Sequence, residues 1–137
     1  MPLTKMEHYL VITDDLDATR DFYCQALGMH EGFRPPLGFP GYWLYVGETP
    51  CIHVAEWATY TAHSQGRGIP VTTRAAGTGP VDHIAFNAEN FEEIVARLKQ
   101  HGVEPRLNDA TPAGLKQLFL SDPNGVKIEI NVRIAPR

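Results

Sequence analysis

Four side chains able to hold a cation recur at matched distances along this chain of 137 residues. His8 and His53 are 45 residues apart (53 − 8), and His83 and Glu129 are 46 apart (129 − 83). Imidazole nitrogens with a carboxylate suit a divalent first-row metal. Two histidines and one carboxylate with open positions form the facial set of non-haem Fe(II) chemistry, and Zn, Mn, Ni or Co fit the same donors. Taken singly, each has an ordinary role, the strand histidine as a hydrogen-bonded polar residue and the glutamate as a solvated charge. The repeated spacing separates them from His30, His63 and His101. His101, beside Gly102, reads as a helix C-terminal histidine that favours the helix dipole.

The elements that carry these residues come in two copies. "EHYLVIT" has strand character and is followed by a helix through "LDATRDFYCQAL", with Asp14 or Asp15 as N-cap and Gly28 as its stop. "VDHIAFN" is the second strand, followed by a helix that Asn90 and Glu93 open as a capping box and Gly102 closes. Phe91, Ile94, Val95 and Leu98 fall at helical spacing, so this helix buries one stripe on a sheet. Shorter strands follow in each half, "YWLYVG" and "PCIHVAE", then "EPRLND", "LKQLFLSD" and "VKIEINV", separated by "TPAG" and "DPNG" turns.

Strand alternation then places the candidates. Ile84 and Phe86 face a core, which leaves His83 on the opposite side. Ile52 and Val54 leave His53 opposite, and Ile128 and Ile130 leave Glu129 and Asn131 opposite. The first strand, apolar on both sides, reads as central. "GMHEGFRPPLGFPG" reads as an irregular approach to "YWLY". The stretch "EWATYTAHSQGRGIPVTTRAAGTG" shows no clear period and reads as a mobile lid, binding segment or linker. The division expected is a first module over 1–57, a linker over 58–79 and a second module over 80–135, within one α+β domain.

Composition narrows the partners. The chain is long enough to bury a core without staples, and hydrophobic residues at 43% with charged residues at 20% are ordinary for a globular protein. A net charge of −4 without a Lys/Arg cluster argues against nucleic acid and against an anionic membrane, leaving a small molecule as the partner. Cys24 and Cys51 form no CxxC pair, so neither a disulfide framework nor a cysteine zinc site is indicated. No apolar run has signal-peptide or transmembrane length, and a cytoplasmic location is expected.

Taken together, "HYLVITDDLDATRDFYCQALGM", "VDHIAFNA" and "FLSDPNGVKIEIN" resemble the vicinal oxygen chelate superfamily, which joins glyoxalases, bleomycin resistance proteins and extradiol dioxygenases. The stretches "RPPLGFPGYWLYVGETPCIHVAE" and "GTGPVDHIAFNA" are similar to short proteins related to biphenyl-2,3-diol 1,2-dioxygenase. The resemblance implies two βαβββ modules whose curved mixed sheets form a half-barrel pair around a metal. It also implies a homodimer. Carried over residue by residue, it implies His8, His83 and Glu129 as metal ligands. His53 falls where glyoxalase-like members use an additional oxygen ligand, so a histidine there departs from that pattern.

The activity this implies is Fe(II)- or Mn(II)-dependent ring cleavage of a catechol-like diol. His53 is then the acid/base candidate, since its strand parity points it at the pocket and imidazole has the right pKa range. Trp43, Tyr45 and Gln117 are candidate substrate contacts, and Asn131 is placed to orient Glu129. The alternatives from the same residues are a metal-dependent lyase, isomerase or thiol transferase with His53 as fourth ligand, and a metal-free binding protein for a planar ligand.

Overall fold

The computed structural model describes residues 2–75 and 77–134. Residue 135, the expected end of the second module, lies outside the described residues, as does Ala76 in the expected linker. The chain divides into two compact units, Met1–Arg74 and Ala75–Arg137.

In the first unit, strand β1 (Tyr9–Thr13) leads into helix α1 (Leu16–Asp21), whose N-cap is Asp15, its side chain accepting from the Ala18 amide at 3.0 Å. The next residues, Phe22–Ala26, widen into a π-helical turn, and Gly28 ends the segment at φ +80°. Strands β2 (His30–Gly32), β3 (Gly41–Val46) and β4 (Thr49–Glu56) complete a sheet of order β1-β4-β3-β2, in which only β1 and β4 run parallel.

One face of this sheet packs on α1. Thr19 donates to the buried Thr13 hydroxyl at 3.0 Å, and Tyr42 donates to Asp17 at 2.6 Å while accepting from Arg20. Tyr23, Leu44, Ile52 and Val54 are fully buried. Alternation therefore turns Leu10, Trp43 and His53 to the opposite face.

Three expectations are corrected here. Strand β1 lies at the edge of its sheet, not in the centre. The interior strands are β4 and β3, and in β4 Ile52, His53, Val54 and Ala55 are all buried because both faces are covered. The irregular approach to "YWLY" contains the short strand β2. The stretch read as aperiodic begins with helix α2 (Trp57–Arg67), ended by Gly68 at φ +69°. Ser64 is buried and Trp57, Thr59, Tyr60, Thr61 and His63 are half-buried, a broad face that contains the helical i, i+3, i+4, i+7 set Trp57, Tyr60, Thr61 and Ser64. Two of the four are hydroxyl residues, so a count of apolar side chains does not register the stripe.

The second unit repeats the order. Strand β5 (Ile84–Ala88) leads to helix α3 (Phe91–Gln100), whose Asn90 cap accepts from the Glu93 amide at 3.0 Å, and Gly102 follows at φ +73°. Leu98 is fully buried, with Phe91, Ile94 and Val95 half-buried along the expected stripe. Strands β6 (Arg106–Ala110), β7 (Leu115–Ser121) and β8 (Lys127–Arg133) give the order β5-β8-β7-β6, with β5 and β8 parallel. The "TPAG" turn is a 3-10 turn, Thr111–Ala113. In "DPNG", the Asp122 carboxylate accepts from the Asn124 and Val126 amides at 2.7 and 2.8 Å, which fixes the entry to β8. The α+β class and the two βαβββ units are as expected, as two separate four-stranded sheets. Among the described residues, no helix is long and apolar enough to cross a membrane.

Gly41 shows how closely β3 and β4 approach. A Cβ there would sit 2.3 Å from the Val54 carbonyl oxygen, whereas one at Gly66 in α2 would meet nothing within 4 Å. Gly41→Ala is expected to cost about 1–3 kcal/mol, because backbone must move. Gly66→Ala should stabilise by roughly 0.5–1 kcal/mol by lowering the entropy lost in the helix. Urea unfolding midpoints of the two variants check this; a neutral Gly41→Ala would show that the contact relaxes at no cost.

Candidate functional site

The matched spacings have a structural cause. In register, β4 lies 43 residues after β1 (Tyr9 opposite Ile52, 52 − 9), and β8 lies 44 after β5 (Ile84 opposite Ile128, 128 − 84). Separations of 45 and 46 are each two residues longer. Each pair is therefore displaced along its partner strand by two residues, the displacement that keeps two side chains on one face.

In the second unit His83 stands just before β5 and Glu129 on β8. Nε2 of His83 is 3.6 Å from Oε1 of Glu129. Nδ1 of His83 is 2.7 Å from Oδ2 of Asp82, which also accepts from the Lys127 ammonium at 2.8 Å. The Lys127 and His83 contacts hold the Asp82 carboxyl below its usual range, so it is an acceptor at neutral pH. Asp82 holds the ring through Nδ1 and turns Nε2 toward the Glu129 carboxylate oxygen. A proton or a metal cation between the two satisfies both.

Glu129 is itself held from behind. Asn131 donates to Oε2 at 2.8 Å, Gln117 donates to the Asn131 carbonyl at 3.0 Å, and Asn108 donates to the Gln117 carbonyl at 2.8 Å. These residues sit on β8, β7 and β6, with Gln117 opposite both Asn131 and Asn108. Every amide donates in the same sense, so the chain ends with an N–H on the carboxylate. Gln117, expected to contact substrate, has both ends of its amide engaged in this chain.

In the first unit His8 precedes β1, and its Nδ1 is 3.0 Å from Oε1 of Glu7. Its ring centroid lies 5.6 Å from that of Trp43 and 5.9 Å from that of His53, and the Trp43 and His53 rings are 5.5 Å apart as direct partners on β3 and β4. The Trp43 indole nitrogen is buried and has no hydrogen-bond partner among the described residues. His53 is 5% exposed; its Nε2 accepts from Arg34 Nε at 3.2 Å, and its ring stacks on Phe39 at 5.5 Å. Burial first, then the charges of Arg34 and His8, push the His53 pKa down to about 4. His53 is thus a neutral imidazole at neutral pH, protonated on Nδ1 because Nε2 is the acceptor.

Tyr45 lies apart from these rings in its bonding. Its ring covers Gly32, where a Cβ would come within 2.6 Å, and its hydroxyl donates to the Phe33 carbonyl at 2.7 Å. His30 stacks on it at 5.6 Å. Among the described residues, no group of three His, Cys, Asp or Glu side chains forms a ready metal cage. His83 and Glu129 come together in the second unit, while His8 is grouped with His53 and Trp43 in the first.

Sequence reasoning missed Glu7 and Asp82, although the pairs "EH" at 7–8 and "DH" at 82–83 are the visible signal, an acid just before the histidine in both copies. It also missed Arg34, Phe39 and His63. The Phe39 ring is 4.6 Å from that of His63 and 5.1 Å from that of Tyr60.

Comparisons with known proteins bear on the family and the fold. The family model described as Glyoxalase/Bleomycin resistance protein/Dioxygenase superfamily matches residues 5–130. A curated Arabidopsis thaliana protein called Glyoxylase I 4 is 30% identical over 132 residues, covering 93% of this chain and 70% of the relative. Biphenyl-2,3-diol 1,2-dioxygenase 2 of Rhodococcus globerulus is 22% identical over 131 residues, covering 93% of this chain; the chain spans 62% of that relative's length. A solved glyoxalase family structure from Bacillus anthracis superposes with a TM-score of 0.69 at 22% identity, covering 96% of each chain.

The depressed His53 pKa has a signed consequence. The unfolded imidazole binds a proton near pH 6.5 and the folded one only near pH 4, so the unfolded state holds more protons between those values. The contribution is fully present above pH 6.5 and is lost as pH falls toward 4. Urea midpoints of the metal-free protein should drop between pH 7 and 5, and His53→Asn should flatten the drop. Histidine NMR should show the His53 ring still neutral at pH 5.5; protonation with a midpoint near 6.5 would refute the assignment.

Proposed function

The chain belongs to the glyoxalase/bleomycin resistance protein/dioxygenase superfamily, and on that footing we propose that it is a metal-dependent enzyme acting on a small substrate through two adjacent oxygens. The specific reading is extradiol-type ring cleavage of a catechol-like diol. Its ligands are His8, His83 and Glu129, with Fe(II) as the metal and Mn, Ni, Zn or Co as possible substitutes in the same donors. The observation that carries it is the approach of His83 Nε2 to a Glu129 oxygen at 3.6 Å, each fixed from behind by its own partners. When bound, the metal supplies Lewis acidity that favours the ionised diol and a position for dioxygen.

The protein's own groups set the rest. Asp82 and Glu7 each engage Nδ1 of a ligand histidine and so present Nε2. Asn131 holds one Glu129 oxygen and leaves the other free. His53 accepts a hydrogen bond on Nε2, so serving as a fourth ligand through that atom would require breaking the Arg34 contact. We therefore assign it to substrate orientation, with its Nδ1–H as the hydrogen-bond donor. Trp43 walls the same sheet face. The working form is a homodimer in the cytoplasm, with Cys24 and Cys51 outside any disulfide.

A second reading rests on the higher identity to Glyoxylase I 4, 30% against 22% for the dioxygenase. It is a lyase or isomerase using the same ligands.

Metal analysis after anaerobic purification, followed by oxygen uptake with a panel of catechols, separates the two. Stoichiometric metal with oxygen consumed supports the first reading; metal without uptake across the panel supports the second, and no metal sinks both. His83→Ala should abolish stoichiometric metal while leaving the far-UV spectrum unchanged. Asn131→Leu should weaken metal affinity on the order of 10–100-fold, as measured by competition with a chromogenic chelator. Sedimentation velocity tests the dimer.

A further inference from the structure

Arg34 differs from other paired cations of the molecule. Arg20 pairs with Asp17, Asp21 and Glu31, Arg74 with Asp14, and Lys127 with Asp82. Arg34 is half-buried, and none of the ion pairs among the described residues includes it. Its partners are neutral: Nε donates to the His53 imidazole at 3.2 Å, Nη2 donates to the Phe39 carbonyl at 2.7 Å, and the guanidinium lies 4.9 Å over the Phe39 ring. A guanidinium carries five donors in a planar fork. Two are spent on these groups, and no carboxylate among the described residues pairs with the positive charge.

Withdrawing a charge from water without a counter-ion is costly, and sites that do so commonly receive the counter-ion with the ligand. The surroundings of Arg34 suit one kind of anion. Phe39 is stacked beneath both the guanidinium and His53, with Tyr60 and His63 at its edge. Trp43, directly opposite His53 on the sheet, adds a buried indole N–H that has no acceptor among the described residues. These are aromatic walls and hydrogen-bond donors, with no carboxylate among the rings in contact. Two oxygens in a plane match a guanidinium fork better than a single point charge does. His53 touches both Arg34 and His8, so an anion on Arg34 stands one imidazole away from the first ligand candidate.

We propose that Arg34 receives the carboxylate of the substrate, so that the ligand taken by this face is an aromatic acid rather than a neutral diol. This rests on the reading of the protein as an enzyme of small oxygen-bearing substrates and deepens it by naming the substrate class. The carboxylate closes on the open edge of the guanidinium, and the ring that carries it lies within the aromatic wall. Arg34 thereby becomes the specificity-determining residue, and the Phe39 stack fixes its orientation.

The test needs neither metal nor oxygen, so failure of the ring-cleavage reading leaves it standing. Benzoate, benzyl alcohol and phenyl phosphate are titrated into the metal-free full-length protein by calorimetry, with the Trp43 indole N–H followed by NMR. Benzoate should bind at least 10-fold more tightly than benzyl alcohol and shift the indole signal. Arg34→Gln should abolish that preference, and Arg34→Lys, which keeps the charge without the fork, should retain only part of it. Near-UV circular dichroism verifies that both variants are folded; should Arg34→Gln unfold, Arg34→Lys decides alone. Equal affinities for benzoate and benzyl alcohol, no binding of benzoate, a preference that survives Arg34→Gln, or tighter binding of phenyl phosphate would each overturn the proposal.

Discussion

The pairing on which everything else depends is the parallel contact between the first and last strands of each unit, β1 with β4 and β5 with β8. A parallel pair cannot close through a hairpin; it needs a crossover long enough to hold a helix and return strands. That requirement fixes the βαβββ order. It also fixes which residues meet, because a register of 43 or 44 positions brings a side chain at a strand entrance beside one two residues along its partner. His83 and Glu129 meet for this reason, and so do His8 and His53.

Around that pairing the two units solve the orientation problem differently. In the second, a carboxylate is held by a line of amides and its histidine neighbour by Asp82, which Lys127 steadies. These contacts are hydrogen bonds on half-exposed groups. In the first, the corresponding position carries a histidine enclosed by rings and a guanidinium, and its proton affinity falls with its exposure. Equivalent places in one repeated plan therefore hold an ionised oxygen donor and a neutral nitrogen one.

The strands and helices that bear the candidate ligands were legible because their signals are local: alternation at Ile84 and Phe86, the Asn90 cap, the glycines at 28 and 102. The repeated spacing was legible because it follows from sheet register. What escaped is non-local or chemically mixed. The three residues of β2 are too few for alternation to register, and α2 hides its buried stripe behind Thr61 and Ser64. The edge position of β1 was misread because Leu10 and Ile12 are apolar and yet only half-buried. Arg34 meets His53 through the path of a Pro/Gly-rich loop, which no periodicity encodes. The link from Asn108 to Gln117 depends on the pairing of β6 with β7, which becomes visible only in the folded sheet.

The aligned amides from Asn108 to Glu129 make the outer edge of a sheet electrically continuous with a carboxylate two strands away. Each amide polarises the next in the same direction, so the donor strength felt by Glu129 is a collective property of the row. A substitution at the solvent-facing rim can then change how firmly one Glu129 oxygen is held without touching any residue beside it. In such an arrangement the tuning of a site and the residues that compose it become separable, and the edge strand acts as its dial.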